Sequence, residues 1–291
     1  MIKKFLIITA SDSKYGDFLI NHWLKSLLPN INKRLVDIAV LDYGLTSEQR
    51  KKILKKAKII KCLRDGNITN IRYRDMLSFL KKNNYQQIMS VDGGDLIFQD
   101  NIMNIFDEHK TEIRVVSEGL MIPSHESALL SKPFNKDMAN NILKTLRNKK
   151  LFNGGLVIAP ISEFIKLCRF QLKYTKKPEL FGLDQVLLNY YLYKNKNFFE
   201  LNNTYNFVIA TARHKFKIKQ GIFLNAQGKP ITIVHNTGGS DTWRPIRNFG
   251  YGKDRNKIRP FVYYWLRFGY NLSFITIPVM RFFLKIVGPK K

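Results

Sequence analysis

The chain has 291 residues, enough for one full-sized core, and carries 49 Lys and Arg against 22 Asp and Glu, a formal charge of +27. Its two cysteines, Cys62 and Cys168, sit in apolar surroundings without metal-type spacing, which excludes a cysteine–metal scaffold and fits reduced core residues of a cytosolic protein. The charge is uneven: residues 201–291 hold 16 Lys and Arg but only Asp241 and Asp254, a block that favours an anionic partner such as phospholipid headgroups, a nucleotide-linked substrate or nucleic acid.

The N-terminal MIKKFLIITASDSK has too short an apolar run for a signal peptide and suits a first strand over Phe5 to Thr9, followed by a helix from Tyr15 to Leu28 with apolar residues at helical spacing. Val36 to Leu41 reads as a second strand. Thr46, with Glu48 and Gln49 behind it, caps a Lys-rich helix through Ala57. Ile59 to Leu63 is a third strand and Ile71 to Lys82 a helix. Strands alternating with helices of this length imply a mostly parallel sheet covered on both faces.

The stretch IMSVDGGDLIFQD, Ile88 to Asp100, then reads as strand, turn, strand. Asp92 and Asp95 fall at the carboxyl end of a buried strand, where open α/β sheets place ligands, and Gly93-Gly94 permits a sharp turn. Hard oxygen ligands there suit Mg²⁺ or Mn²⁺. An ordinary hairpin turn with solvated aspartates fits the same residues.

Beyond it, Asn101 to Phe106 reads as a short helix, Ile113 to Ser117 as a strand and Glu118 to Lys132 as a loop that covers a substrate. Asn153-Gly154-Gly155 reads as a turn feeding a buried strand, open to close approach by a ligand. Helices follow from Ser162 to Tyr174 and from Val186 to Tyr193. Asp184, with Gln185, stands at the start of the second, where a carboxylate also serves as a simple cap. Thr204 to Ile209 and Ile231 to Val234 read as strands, and the second delivers His235, a third metal ligand or a structural histidine. From residue 244 the composition changes to aromatic and basic. The uncharged run from Phe268 to Met280 is shorter than the roughly 20 residues a bilayer span needs. It suits a segment lying in the plane of an anionic membrane surface, or a helix packed on the domain.

Taken in order, Thr9-Ala10-Ser11, Leu41 to Thr46, the Asp92 to Asp95 turn, Phe152 to Gly155, Asp184-Gln185 with Asn189, and His235 with Gly238 resemble the GT-A glycosyltransferases, most closely the family-eight type to which glycogenin and the bacterial lipopolysaccharide galactosyl- and glucosyltransferases belong. The resemblance covers roughly residues 3 to 240. It implies a Rossmann-like α/β GT-A domain over residues 1–243; the residues beyond it, 244–291, read from their own composition as a basic, amphipathic membrane-associating tail. It further implies that Thr9, Ala10 and Tyr15 hold the base and ribose of a nucleotide-sugar donor, UDP-linked in this family. Asp92, Asp95 and His235 would bind Mn²⁺ or Mg²⁺. Arg72, Asn153, Gly154 and Gly155 would meet the donor sugar or diphosphate, and Asp184 and Gln185 would stand at the reacting face of a retaining enzyme.

Two departures stand out. The spacing is Asp-Gly-Gly-Asp, one residue longer than the family's motif, and the family's Lys-Pro-Trp is absent after the histidine. Thr242-Trp243-Arg244-Pro245 is the nearest stretch, with Arg244 as the phosphate cation. The acceptor implied is a glycan or glycolipid on the cytoplasmic face of the cell membrane, in lipopolysaccharide or capsule assembly, with no nucleic acid expected. The alternatives are an inactive GT-A-like scaffold, motivated by the irregular spacing, and a basic nucleic-acid-binding protein, motivated by the charge.

Overall fold

The computed structural model of the chain describes residues 4–121, 133–212, 214–238, 241–269 and 271–272. The first apolar run forms β1 (Phe5–Ser11). Its side chains alternate between two buried clusters, Phe5 and Ile7 on one face, Leu6 and Ile8 on the other. A strand covered on both faces has to be apolar throughout, which is why the pattern is continuous. β2 (Val36–Asp42), β3 (Lys58–Lys61) and β4 (Gln87–Val91) lie parallel to it in the order β3-β2-β1-β4. β7 (Lys150–Pro160) runs antiparallel to β4, and β6 (Ile113–Met121) and β8 (Phe198–Glu200) complete a seven-stranded sheet. The expected α/β architecture with a mostly parallel sheet is therefore present.

Helices connect the strands and bury both faces. Residues 13–27 form one continuous helix, α1, in which Leu19–Trp23 is a π-helical stretch between the α-helical turns Ser13–Phe18 and Leu24–Leu27. Asp12 caps it by accepting from Tyr15 N at 3.3 Å. α2 (Ser47–Leu54) carries the expected capping box, with Thr46 and Gln49 satisfying each other's backbone amides. α3 (Ile68–Leu80) starts three residues before the expected helix because Asn67 caps it. α5 (Ile161–Tyr174) and α6 (Leu183–Asn195) cover the same face as α3, and α4 (Lys136–Leu146) packs Ile142 and Leu146 against Val186 and Tyr190 of α6.

A smaller sheet sits beside the first: β5 (Leu96–Phe98), β9 (Phe207–Val208) and β12 (Ile233–His235), in the order β5-β12-β9. Its apolar side, with a hairpin of β10 (Lys217–Lys219) and β11 (Ile222–Leu224), forms a third cluster that includes Ile97, Phe207, Phe223 and Val234.

Several local expectations change. Asn153-Gly154-Gly155 is not a hairpin turn; it lies buried inside β7, at a register shift between the pairs Ser117–Phe152 and Val115–Val157, where Gly154 N and Gly155 N donate to side chains. The expected loop begins later, since residues 118–121 belong to β6, and 122–132 lie outside the described residues. The strand over 204–209 is a 3-10 turn, Asn203–Tyr205, followed by the short β9. Past residue 244, Ile246 and Phe249 are buried in the third cluster, and a helix, α7, occupies residues 260–269. Residues 273–291, the rest of the expected tail, lie outside the described residues.

The end of β2 supplies a test of the frame. Asp42 is buried; it accepts from Gly44 N (2.9 Å), Leu45 N (2.7 Å) and Arg50 Nε (2.5 Å). Burial works to raise its pKa, but the bonds from Arg50 and the two amides outweigh it and hold the carboxyl below its usual range. Asp42→Asn is expected to cost about 1–2 kcal/mol in urea denaturation at pH 7, at the low end for a charged hydrogen bond because Arg50 is partly exposed. Since the folded pKa is lowered, the wild-type advantage is full above the ordinary Asp range. It should vanish as pH falls through the folded value, so the two proteins converge in acid.

Candidate metal centre and active-site cavity

The Asp92 to Asp95 turn is not a hairpin. β4 belongs to the large sheet and β5 to the small one, so the four residues carry the chain from one sheet to the other. The two glycines are required by what lies above them. A Cβ on Gly93 would stand 2.6 Å from Thr9 Oγ1, and one on Gly94 2.8 Å from the Tyr15 ring. The antiparallel register of β5 and β12 places His235 opposite Leu96, next to Asp95, and Asn236 N donates to Asp95 O at 2.8 Å. The longer spacing thus still brings both carboxylates to one histidine.

Each carboxylate is divided between two partners. Asp92 Oδ1 accepts from Arg72 Nη1 at 2.6 Å, while Oδ2 lies 3.8 Å from His235 Nε2. Asp95 Oδ2 accepts from Arg244 Nη2 at 3.2 Å, while Oδ1 lies 3.2 Å from His235 Nε2. On the far side of the ring, His235 Nδ1 and Asn206 Oδ1 are 3.0 Å apart, and Asn206 Nδ2 donates to Asn153 Oδ1 at 2.9 Å. The Asn206 amide oxygen is therefore the acceptor and Nδ1 the donor, so in the neutral ring the Nε2 lone pair faces the two carboxylates.

Three electron-rich atoms, from Asp92, Asp95 and His235, lie within 4.8 Å of one another. Metal–ligand bonds of about 2.0–2.2 Å put neighbouring ligand atoms roughly 3 Å apart, so the set fits one divalent ion, and two oxygens with one imidazole nitrogen suit Mn²⁺ or a similar ion. With protons alone, burial lowers the His235 pKa, but Asp95 and then Asp92 outweigh it and raise it overall. Burial likewise works to raise Asp92, and Arg72 and His235 together hold it below its usual range. The constellation attracts a cation.

The ion site opens on a cavity of about 910 Å³. Of the residues expected there, Ala10, Tyr15, Arg72, Asn153, Gly154, Gly155, Asp184, Gln185 and Arg244 line it together with the three ligands; Thr9 does not, being buried beneath Gly93. Arg72 is fixed inside the protein, donating also to Gly154 O and Asp184 Oδ2, both at 3.2 Å. Asp184 is thus an ion-pair partner instead of a helix cap, and its burial, only partly opposed by Arg72, raises its pKa. Gln185 Oε1 accepts from Gly154 N at 3.1 Å. Arg244 lies over the Tyr15 ring, 5.6 Å from guanidinium carbon to centroid.

Sequence reasoning missed Glu118 and Asn206. Glu118, on β6, accepts from Asn153 Nδ2 and from Gln185 Nε2 (3.4 Å) and lines the cavity with its pKa raised by burial. Nothing local marks it, since its neighbours in the sequence form an ordinary strand. Asp12 and Arg64, an ion pair at 3.0 Å, and the exposed ring of Phe181 also border the cavity.

Gly155 is opposite Asp92, whose N donates to Gly155 O at 2.9 Å. A methyl there would overlap His235 Cε1 and stand 2.7 Å from both Asn153 Oδ1 and Asp92 Oδ2. Gly155→Ala is expected to cost about 1–3 kcal/mol of stability. It should also weaken Mn²⁺ binding by at least about tenfold, measured by calorimetric titration of the folded variant.

No protein-family model matches the sequence, and no curated protein matches it. Solved structures do. The chain is similar to the galactosyltransferase LgtC, solved with donor and acceptor sugar analogues, at 14% identity and TM-score 0.53 over 86% of this chain and 92% of that one. It is similar to the glycosyltransferase GlyE of Streptococcus pneumoniae at 16% identity and TM-score 0.51, over 91% of this chain and 60% of that one. The bifunctional glycosyltransferase WbbM matches at 14% identity and TM-score 0.51, over 84% of this chain and 47% of that one. The chain has the GT-A glycosyltransferase fold.

Proposed function

We propose that the chain is a metal-dependent glycosyltransferase that moves a sugar from a nucleotide-sugar donor, UDP-linked, to a glycan or glycolipid acceptor. The observation that carries this reading is the convergence of Asp92, Asp95 and His235 on one point of a 910 Å³ cavity, with Arg244 beside them. Glycosyl transfer needs a good leaving group. Asp92, Asp95 and His235 would hold Mn²⁺ or Mg²⁺, and such an ion, when bound, neutralises the departing diphosphate.

The remaining steps fall to the chain's own groups. Arg244 supplies a second positive charge next to Asp95, in the place of the missing lysine motif. Ala10 and Tyr15 form the wall for the base and ribose, and Asn153, Gly154 and Gly155 the wall for the donor sugar. Gln185 and Asp184 line the same cavity, Asp184 joined to the ligands' turn through Arg72. The Gln185 amide, fixed by Gly154 and Glu118, would stand near the positive charge that develops in an oxocarbenium-like transition state. Retention of configuration accords with these residues and with the resemblance. Arg72 positions the site from behind by keeping Asp92 charged.

The acceptor belongs, on this reading, to lipopolysaccharide, capsule or a related surface glycan, with the protein held on the inner face of the cell membrane by residues 244–291. Among the described residues no helix is long and apolar enough to cross a membrane.

Calorimetry with UDP and nucleotide sugars tests the reading. Binding is expected to require Mn²⁺ and to weaken at least about tenfold in Asp95→Asn. Binding indifferent to both metal and Asp95 would sink the catalytic assignment in favour of a scaffold. A salt-sensitive shift of an oligonucleotide in place of UDP binding would favour the nucleic-acid reading.

A further inference from the structure

Between Glu48 and Asp65 the sequence holds eight Lys and Arg and neither Asp nor Glu, and the fold spreads them over one edge of the large sheet. In α2 Gln49 and Ile53 are buried, so Lys51 and Lys55 stand on the opposite side of the helix, with Lys52 and Lys56 beside them, all four exposed. β3 is the edge strand, and Lys58 and Lys61 open and close it, both exposed.

Four acids that border this band are already taken. Glu48 pairs with Lys52 (2.6 Å), Asp42 with Arg50 (2.5 Å), Asp37 with Lys58 (2.6 Å) and Asp12 with Arg64 (3.0 Å). Lys51, Lys55, Lys56 and Lys61 have no acidic partner among the described residues. Like charges so close repel one another and weaken the fold. A partner that carries several negative charges removes that cost.

The band leads to the cavity. Parallel register sets Lys61 beside Asp42 and Asp42 beside Ser11, one row at the carboxyl end of the sheet. Three residues past Lys61, Arg64 lines the cavity, paired with Asp12 at the end of β1, and Asn67 and Thr69 follow on the same rim. None of these three has a part in the donor contacts proposed above. From residue 44 to residue 72 there is no Phe, Tyr or Trp, so the band gives nucleic-acid bases nothing to stack on. Its exposed leucines, Leu54 and Leu63, are separated by the length of β3 and make no apolar stripe for a bilayer.

We infer that the outer face of α2 and β3 binds an acidic glycan, one with carboxylate or phosphate groups at intervals along its chain, whose end enters the cavity past Arg64. Resting on the sugar-transfer reading of that cavity, this makes the acceptor a polyanion held along the sheet edge while its end is extended.

The test uses the full chain without donor or metal, and fluorescence anisotropy of two labelled probes, oligogalacturonate and oligo(glycerol phosphate), with the neutral methyl ester of the first for comparison. Wild type is expected to bind at least one acidic probe at least about tenfold tighter than the ester, and more weakly as salt rises. Preference for the first probe marks a carboxylate-bearing acceptor, preference for the second a phosphate-bearing one. The triple variant Lys51→Gln, Lys55→Gln, Lys61→Gln changes exposed side chains outside the cavity and should keep its circular dichroism, while its affinity falls about tenfold. Removing the same charge around the β10–β11 hairpin, with Lys217→Gln, Lys219→Gln and Lys229→Gln, should change affinity less than about twofold. Neither acidic probe bound, an ester bound as well as the acids, no loss in the first triple variant or equal loss in both overturns the inference. So does an oligonucleotide of equal charge bound more tightly through the same three lysines, which makes the partner a nucleic acid. Glycan binding is read apart from Mn²⁺-dependent UDP binding, so loss of UDP binding with intact glycan binding sinks the catalytic reading alone.

Discussion

Two carboxylates and an imidazole lone pair aimed at one another repel unless a positive charge stands among them, and much of this molecule serves to hold them in that arrangement. Arg72 and Arg244 each take one oxygen of one aspartate and leave the other oxygen facing His235. The arginines do this without filling the point of convergence. They are therefore counter-ions that aim both aspartates, and Arg72 also keeps Asp92 ionised. Burying so much charge is stable only because every oxygen has a partner or faces the ion site.

That constraint explains features that look unrelated. The π-helical stretch in α1 sets Trp23 so that its Nε1 donates to Asp92 O at 3.0 Å, fixing the backbone of the first ligand. Asn206 orients the second side of His235 and is itself held by Asn153, so the wall of the cavity and the candidate metal ligands form one hydrogen-bonded unit. Asn189 grips Phe152 through both N and O at 2.9 Å, which locks the strand carrying Asn153 to α6 carrying Asp184 and Gln185. Glu118 joins Asn153 to Gln185 across the same wall. A change at any of these amides would, on the proposed reading, be felt at the donor-sugar wall without removing a candidate ligand.

How much of this was legible in the sequence depended on whether the signal was local. The strand and helix alternation of the first hundred residues and the Thr46 capping box are local patterns, and the structure presents both; Asp92, Asp95 and His235 were also named from local patterns, and their side chains converge. Asn153-Gly154-Gly155 misled because glycines next to an asparagine look like a turn, whereas here Gly155 is small to admit His235 and Asp92 against a strand. Glu118 and Asn206 carry no mark, since a buried polar residue and a solvated one are the same letter. The antiparallel β7, the second sheet and the packing of Ile246 and Phe249 are set by contacts between distant segments. The aromatic tail was recognised as amphipathic, but which of its sides faces the protein follows from the contacts of Tyr263 with Phe216 and of Arg267 with Ala212, far away in sequence.

The central claim is that Asp92, Asp95 and the Nε2 of His235 form one ion site with the ring oriented by Asn206. Pulsed electron paramagnetic resonance of the full chain titrated with Mn²⁺ tests it most directly. The account predicts one bound Mn²⁺ per chain with a directly coordinated imidazole nitrogen, a coupling lost in His235→Gln and disordered in Asn206→Ala. Bound Mn²⁺ with no nitrogen coupling, or the same coupling in His235→Gln, would contradict it.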